Sequence, residues 1–541
     1  METSKKTEDE NQLHPIIPTK KSVTTSYQEL IISSIGEIGR WQYFIIFTIM
    51  LPKFLICWSM VSVSFTLGKT EWWKVTTGID PKTNVSTTIR LFKDCSPLGE
   101  NDTIVYGNTN TITSEFGLIC DKAAIPTLIK TMQMVGLVIG SAINGQLGDW
   151  IGRRKCIIGS FLLNISAIFI ESFSTSWQMV VVLRFLVGLG MGGYQAITTV
   201  YALEFVGTSW RTIIGSFPYW GFGTISLGGL YYVAPYWRNM YLVTGLVGLP
   251  FLILMLFTTE SVRWLLIHGK TDEAITSINK IAKFNKRRKP DVSQFEEAAK
   301  REESEMKLNA MKYNYATLFR MKSTRMKTVL FGFCWLTLGF SYYVFIFGVT
   351  LLSGHPALNM ALTGLGNTLI SVLVWGLNKK FGRRRATMVG YMATVTFSLL
   401  FVIFRLATVS MGSAMTGLAI ASVWCFSITW PSIAIFTVEI FPTTVRSSAY
   451  GFVSIMARIG GVVAAQSDFI YAVAIYFPYL IVGVLCIICT IGVFQLPETI
   501  NEDLQDILHS ESDGVSTDES SASEQYEEDT KNNEKSEILK V

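Results

Sequence analysis

The sequence predicts an all-α membrane protein: twelve transmembrane helices arranged as two pseudo-symmetric halves of six. Three observations carry that prediction. Of 541 residues, 49 % are hydrophobic and only 16 % charged, against about 25 % charged in soluble domains. The apolar residues gather in runs of about 20, the length a helix needs to cross ~30 Å of hydrocarbon. Short charged motifs also recur, in the same order, in the two halves of the chain.

The apolar runs are read at 43–67, 124–147, 156–174, 178–202, 211–233 and 239–259, then at 327–351, 358–377, 386–407, 410–436, 447–470 and 474–496. The organisation that follows is a cytoplasmic N-terminus (1–42), a six-helix half (43–259) with an extracellular loop (68–122), and a cytoplasmic inter-half segment (260–326). A second six-helix half (327–496) and an acidic cytoplasmic tail (497–541) complete it. The first 25 residues are polar, with four lysines, so the first span is expected to act as its own signal anchor. From Asn501 on, 13 acidic residues and 3 lysines lie among many Ser and Thr, a composition that cannot bury a core and is expected to be disordered.

Six of the eight cysteines lie in or beside apolar spans and read as small core residues. The other two, Cys95 and Cys120, flank a polar loop that also carries glycosylation sequons at Asn84 and Asn101. A disulfide between those cysteines, together with glycans, would put the loop outside the cell. Charge placement agrees. Residues 260–325 hold 15 Lys/Arg against 9 Asp/Glu, and positive charge belongs on the cytoplasmic side. Both termini are then cytoplasmic.

The repeats place the charges. "GDWIGRRK" at Gly148–Lys155 returns as "NKKFGRRR" at Asn378–Arg385, an offset of 230 residues. Glu204 stands seven residues before Arg211, and Glu439 seven before Arg446, an offset of 235. "TTES" with Glu260 is echoed by "LPET" with Glu498, an offset of 238. The first half thus offers Asp149, Arg153, Arg154, Glu204, Arg211, Glu260 and Arg263. The second offers Arg383, Arg384, Glu439, Arg446 and Glu498. All fall at the cytoplasmic ends of spans, where charge networks can lock one face shut and release it as two repeats rock.

"GQLGDWIGRRK" resembles the loop signature of the major facilitator superfamily, Gly-x-x-x-Asp-x-x-Gly-Arg-Arg-Lys. "SIGEIGRWQ" before the first span, "SEFGLICDK" closing the long loop, "ESVRWLL" and "EIFPTTVR" are similar to motifs of its organic cation, anion and zwitterion transporter family. The resemblance runs from residue 34 to about 500 and implies a plasma-membrane, multi-pass secondary transporter. Sugar porters share the first knot but have a Gln-rich seventh span, which "FCWLTLGFSYYVFIFG" lacks. Departures are Trp150 for a basic residue, Val262 for a proline, and Lys379 at the acidic position of the second knot, which is therefore expected to have lost part of its latch.

Arg458 lies about 11 residues into the eleventh span, ~16 Å along a helix, too deep to snorkel. The resemblance implies Arg at this position in anion and carnitine-type members and Asp in cation members. A guanidinium in an apolar cavity suits a carboxylate, being planar, permanently charged and bidentate. The competing role is an ion pair with a neighbouring span, Glu439 being one partner. Lys53 and Lys130 are further candidates for substrate contact, and Ser371 stands where the resemblance implies a second Lys in anion members. Aromatic walls are expected from Trp220, Tyr342, Tyr343, Phe426, Trp430 and Phe436.

Three classes of function compete. A secondary transporter of organic anions or carnitine-like zwitterions fits the duplication and Arg458. A polyspecific organic cation transporter fits the same fold, with cation–π walls. A sugar porter-like carrier, a membrane enzyme or a receptor is the remaining reading, but no nucleotide loop, metal-ligand cluster or activated nucleophile is found in the sequence. No cofactor, metal or nucleic-acid partner is expected. The expected partners are a small organic ion, the lipid bilayer, and a counter-substrate or coupling ion.

Overall fold

The computed structural model describes residues 27–287 and 315–499, apart from positions 69, 80–85, 98, 100–101, 208–209, 212–213, 216, 321, 408–411 and 443–444. Asn84, Asn101 and the acidic tail lie outside the described residues.

Twelve helical spans are present among the described residues. Span 1 is Arg40–Thr66, span 2 Ile125–Ile151, span 3 Arg153–Glu171, span 4 Trp177–Leu203, span 5 Tyr219–Val233 and span 6 Trp237–Met255. Span 7 is Lys322–Gly348, span 8 Pro356–Phe381, span 9 Arg383–Leu406 and span 10 Gly412–Ile440. Span 11 is Arg446–Ala464 continued by Ser467–Val473, and span 12 is Phe477–Phe494. Among the described helices, nine are long and apolar enough to cross a membrane, or ten with the bent pair of span 11 taken as one. The two that fall short have physical reasons. Span 3 opens on Arg153, Arg154 and Lys155, and span 5 is 15 residues long.

Span 1 is not a uniform helix. Pro52 has no N–H to give the turn before it, and Leu51 donates to Ile46 O at 2.9 Å, so residues 46–50 adopt a π turn. Lys53 starts the next helical segment.

The loop after span 1 departs from the all-α expectation. Trp72–Ile79 (β1), Ser86–Phe92 (β2) and Asp102–Tyr106 (β3) form an antiparallel sheet in the order β2-β1-β3. "WKVTT", "TTIRLF" and "TIVY" are rich in β-branched and aromatic residues, which favour a pleated surface. Trp73 pairs with Phe92 on one side and Val105 on the other. Cys95 and Cys120 are bonded, with Cα atoms 5.6 Å apart. Lys74 bridges Asp102 at 2.9 Å, and the Thr76 hydroxyl and the Gly99 N–H donate to the same carboxylate. The loop is clamped to span 6: Glu115 accepts from Trp237 Nε1 at 2.6 Å and from Arg238, and the Trp237 N–H donates to Asn110 O.

At the opposite face, Asn285 explains why the "SIGEIGRWQ" stretch is ordered. Its amide donates to Ile35 O and Gln42 Oε1 and accepts the Trp41 N–H at 2.8 Å, while Gln42 Nε2 donates to Gly36 O and Phe205 O. The amphipathic helix Thr271–Phe284 buries Ala274, Ile278, Ile281 and Ala282, so the segment following span 6 is fastened to the first half.

The halves meet along spans 5 and 8, between spans 2 and 11, and where the end of span 1 touches span 7. The last two contacts lie at the face bearing the sheet.

Candidate functional site

The duplicated charges build two equivalent clusters at the face opposite the sheet. In the first, Arg153 pairs with Glu204, which also accepts from the Ser261 hydroxyl. Glu260 accepts the Arg154 N–H at 2.9 Å and the Ser261 N–H at 2.9 Å. In the second, Arg383 pairs with Glu439 at 2.9 Å, and Glu439 accepts from the Thr499 hydroxyl at 2.6 Å. Glu498 accepts the N–H groups of Arg383 and Arg384 at 2.9 and 3.1 Å. Glu260 and Glu498 therefore each cap a helix N-terminus, where unsatisfied N–H groups and the helix dipole favour an anion. Gly152 and Gly382, at φ +110° and +89°, make the turn into spans 3 and 9, and a Cβ at either would strike the capping glutamate.

The sequence spacing suggested Glu204 with Arg211 and Glu439 with Arg446 as units; the structure separates them. Arg211 Nε donates to Val206 O and Arg446 Nε to Phe441 O, both at 3.3 Å, closing their own turns. Arg263 lies near Arg153 and Arg211. Asp149 bridges Arg153 at 3.7 Å but keeps 70 % side-chain exposure, and Trp264 Nε1 fixes its carbonyl at 2.7 Å. The four glutamates are thus held within their own halves, and Asp149 is left presenting its carboxylate outward.

Deep between the halves, Arg458 on span 11 hydrogen-bonds Ser454 O at 2.9 Å and the Ser454 hydroxyl. Its neighbours are the Tyr343 and Tyr450 hydroxyls. Among the described residues no carboxylate pairs with it, and its Nε has no hydrogen-bond partner. Glu439, the partner weighed from sequence, is committed to Arg383. Trp220 Nε1 donates to the Tyr342 hydroxyl at 2.5 Å, joining spans 5 and 7. Rings continue from Tyr342 to Trp430 (6.3 Å), Trp430 to Trp335 (5.6 Å) and Trp335 to Tyr450 (5.8 Å), all three pairs edge-on. Tyr450 and Trp430 keep 39 % and 36 % exposure. Lys53 Nζ donates to Thr199 at 2.8 Å and lies 5.7 Å from the Tyr219 ring. Ser371 turns its hydroxyl back onto Asn367 O.

Two aromatic expectations are corrected. Phe426 and Phe436 pack against Phe345 and Phe331, are 2 % and 0 % exposed, and belong to the core of the second half. Lys130, the other lysine candidate, pairs with Asp468 of the opposite half at 2.7 Å.

Sequence reasoning missed Trp335 and Tyr450, and it missed a fully buried pair, Arg184 with Glu171 at 2.8 Å. Arg184 also donates to Ser59 O and Gln133 Oε1 and lies 4.2 Å from the Tyr241 ring, tying spans 1, 2, 3, 4 and 6 together. A charge inside each apolar run was the available signal.

Residues 83–509 match the family model described as "Sugar (and other) transporter". The chain is 27 % identical over 411 residues to organic anion transporter 3 of Homo sapiens, covering 75 % of each chain. It is 27 % identical over 521 residues to the organic cation transporter protein of Drosophila melanogaster, covering 88 % of this chain and 93 % of that one. Solute carrier family 22 member 6-A of Xenopus laevis is 29 % identical over 413 residues, covering 74 % and 72 %. The fold is that of the proton:xylose symporter XylE bound to 6-bromo-6-deoxy-D-glucose, with a TM-score of 0.62 at 17 % identity, covering 86 % of this chain and 98 % of that one. A partially occluded inward-open XylE from E. coli matches with a TM-score of 0.60 at 16 % identity, covering 86 % and 100 %. The chain has the fold of the major facilitator superfamily, is similar to organic anion and organic cation transporters, and belongs to the sugar (and other) transporter family.

Proposed function

We propose that this transporter carries organic anions or carnitine-like zwitterions by alternating access, with Arg458 receiving the substrate's carboxylate. The observation that carries the reading is a guanidinium deep between the halves with no carboxylate partner among the described residues and an unpaired Nε. A buried cation left in that state is costly unless an anion completes it. Tyr342, Tyr343, Trp220 and Trp430 would form the apolar walls, and Lys53 a second positive station. A counter-substrate or coupling ion would supply the energy. The charge clusters, with Asp149 the most exposed member, would set which face is open.

The sheet-bearing loop would be extracellular, with glycans on Asn84 and Asn101 and both termini in the cytoplasm. The Cys95–Cys120 bond and the basic 260–325 segment support that orientation.

A second reading, a polyspecific organic cation transporter, is favoured by the run of rings from Trp220 through Tyr342, Trp430 and Trp335 to Tyr450, whose faces could hold a cation. Uptake of a labelled organic anion, carnitine and a quaternary ammonium, side by side in one expressing cell line, separates the two. Uptake of the quaternary ammonium alone would overturn the anion reading.

A further inference from the structure

At the sheet-bearing face the two halves are joined by charge. Lys130 Nζ on span 2 lies 2.7 Å from Asp468 Oδ2 at the bend of span 11, 338 residues away, and the lysine is 3 % exposed. Three further contacts complete a lid. The Thr127 hydroxyl donates to the same aspartate oxygen at 3.2 Å, Gln466 Nε2 donates to the Thr131 hydroxyl at 2.7 Å, and the Phe347 ring lies 5.8 Å from the ammonium. Just inside this lid, the Tyr343 hydroxyl reaches Met60 Sδ at 3.7 Å, and Met134, one helical turn from Lys130, is fully buried close to Gly461. Beyond it lie Tyr343 and Arg458.

We propose that Lys130 and Asp468 are the latch that closes the sheet-bearing face during transport, and that Lys130 is the first cation an incoming anion meets when the latch opens. Two features favour a latch over a permanent rivet. The pair bridges the two bodies that must separate in alternating access. The break between Ala464 and Ser467 bends span 11 by 47° directly beside Asp468, giving the aspartate a segment that can swing without dragging the whole span. Opening takes the Asp468 carboxylate away from the Lys130 ammonium and leaves the ammonium beside Thr127, Thr131 and the Phe347 ring. An arriving carboxylate that takes Asp468's place restores a charge-assisted contact that opening removes, and so favours the open face. These are positioning residues: they act on the path to Arg458.

The inference rests on the sheet-bearing face being extracellular, and the test separates the two. A Met134→Cys protein is expressed in cells and treated from outside with a membrane-impermeant thiol reagent, against the unmutated protein as background. Asp468→Asn or Lys130→Gln should raise the rate at which the introduced thiol is modified about 10-fold, the effect of roughly 1.4 kcal/mol of bias towards the open face. The double charge swap, Lys130→Asp with Asp468→Lys, should return it to the parent rate. Restoration by the swap also answers misfolding, because a merely damaged bundle would stay permeable. Unchanged rates in both single variants at normal surface levels, or a swap that labels as fast as the singles, would overturn the latch. A rate gain seen only in inside-out vesicles would overturn the orientation and leave the latch standing.

Discussion

Glu260 accepts the Arg154 N–H at 2.9 Å, and 238 residues later Glu498 accepts the Arg384 N–H at 3.1 Å. Each carboxylate lies at the N-terminus of the helix that follows a basic knot, where up to four N–H groups lack an intrahelical partner. The basic side chains beside them fan outward: Arg154 Nη2 donates to Leu256 O and Arg384 Nη2 to Phe494 O. The recurrent motif is therefore a helix-capping device before it is anything else, and its glycine is required because the glutamate occupies the space of a Cβ.

Replacing Glu260 or Glu498 by Gln keeps an acceptor oxygen but removes the charge facing the helix dipole. Each change should lower stability by about 1 kcal/mol, read as a lower melting temperature of the purified protein in detergent. Equal losses at the two sites would show that the cap works alike in both halves; no loss at either would mean that the carboxylates are held there by the helices without holding them.

The Arg184–Glu171 pair should behave differently, because both partners are fully buried. Removing one charge leaves the other unpaired, at a cost of about 3–5 kcal/mol, whereas replacing both with apolar residues of similar volume is often near neutral. Arg184→Met and Glu171→Leu should each sharply reduce folded, surface-expressed protein, and the double variant should recover much of it. A double variant no better than the singles would place the value of this site in the contacts of Arg184 to Ser59 and Gln133 instead.

The contrast between these sites shows what the sequence could yield. Helix positions and duplicated charges were legible because apolar run length and motif recurrence are local properties of the chain. The pairing of those charges was not: seven-residue spacing suggested Glu204 with Arg211, but Arg211 spends its guanidinium on its own turn and Glu204 turns to Arg153. Lys130 with Asp468 was out of reach because the partners are 338 residues apart and lie in different halves. Phe426 was misread because aromatic side chains on a nearly all-apolar helix carry no periodic signal to tell core from cavity. The sheet of the long loop was legible in principle, from its β-branched runs, and was passed over beside the stronger helical pattern.

Asp102 supplies a pH test outside the membrane. The Thr76 hydroxyl, the Gly99 N–H and Lys74 hold its carboxyl down at about 2, from 3.8. A carboxylate whose folded value is depressed stabilises at pH above its unfolded value and loses that contribution as pH falls through the folded one. The sheet should therefore be unaffected by the titration of Asp102 between about pH 5 and 8 and should loosen between about 4 and 2. Limited pepsin digestion of the loop should accelerate across that window in the parent protein, and an Asp102→Asn variant should already be faster at its upper end. Identical digestion of the two at the upper end would remove Asp102 from the account.

Asp149 is 70 % exposed and tied to Arg153 at 3.7 Å, so its carboxylate can meet the N-terminal end of a second-half helix when the knot face closes. Asp149→Asn should lower turnover several-fold with little change in the order in which compounds compete for uptake. Normal turnover with an altered order would move Asp149 from gating to selection. Lys379 stands at the equivalent place in the second knot.

The proposed substrate class rests on Arg458. Its guanidinium is anchored at one end by Ser454 and left without a carboxylate among the described residues, with Tyr343 and Tyr450 beside it. If it receives the substrate's carboxylate, Arg458→Lys keeps the charge and loses the planar fork, so affinity falls while transport survives. Arg458→Ala removes a charge-assisted contact of about 1.5–3 kcal/mol, a loss of roughly 10- to 150-fold in affinity. Arg458→Asp should abolish anion or zwitterion uptake and admit cations along the rings from Trp220 to Tyr450. Competition assays must be paired with surface labelling, because a purely structural arginine would lower the amount of protein at the surface in all three variants. Normal surface levels with unchanged affinity for every tested anion in Arg458→Ala would end the assignment, and transport of quaternary ammonium alone by the unmutated protein would transfer the cavity to the cation reading.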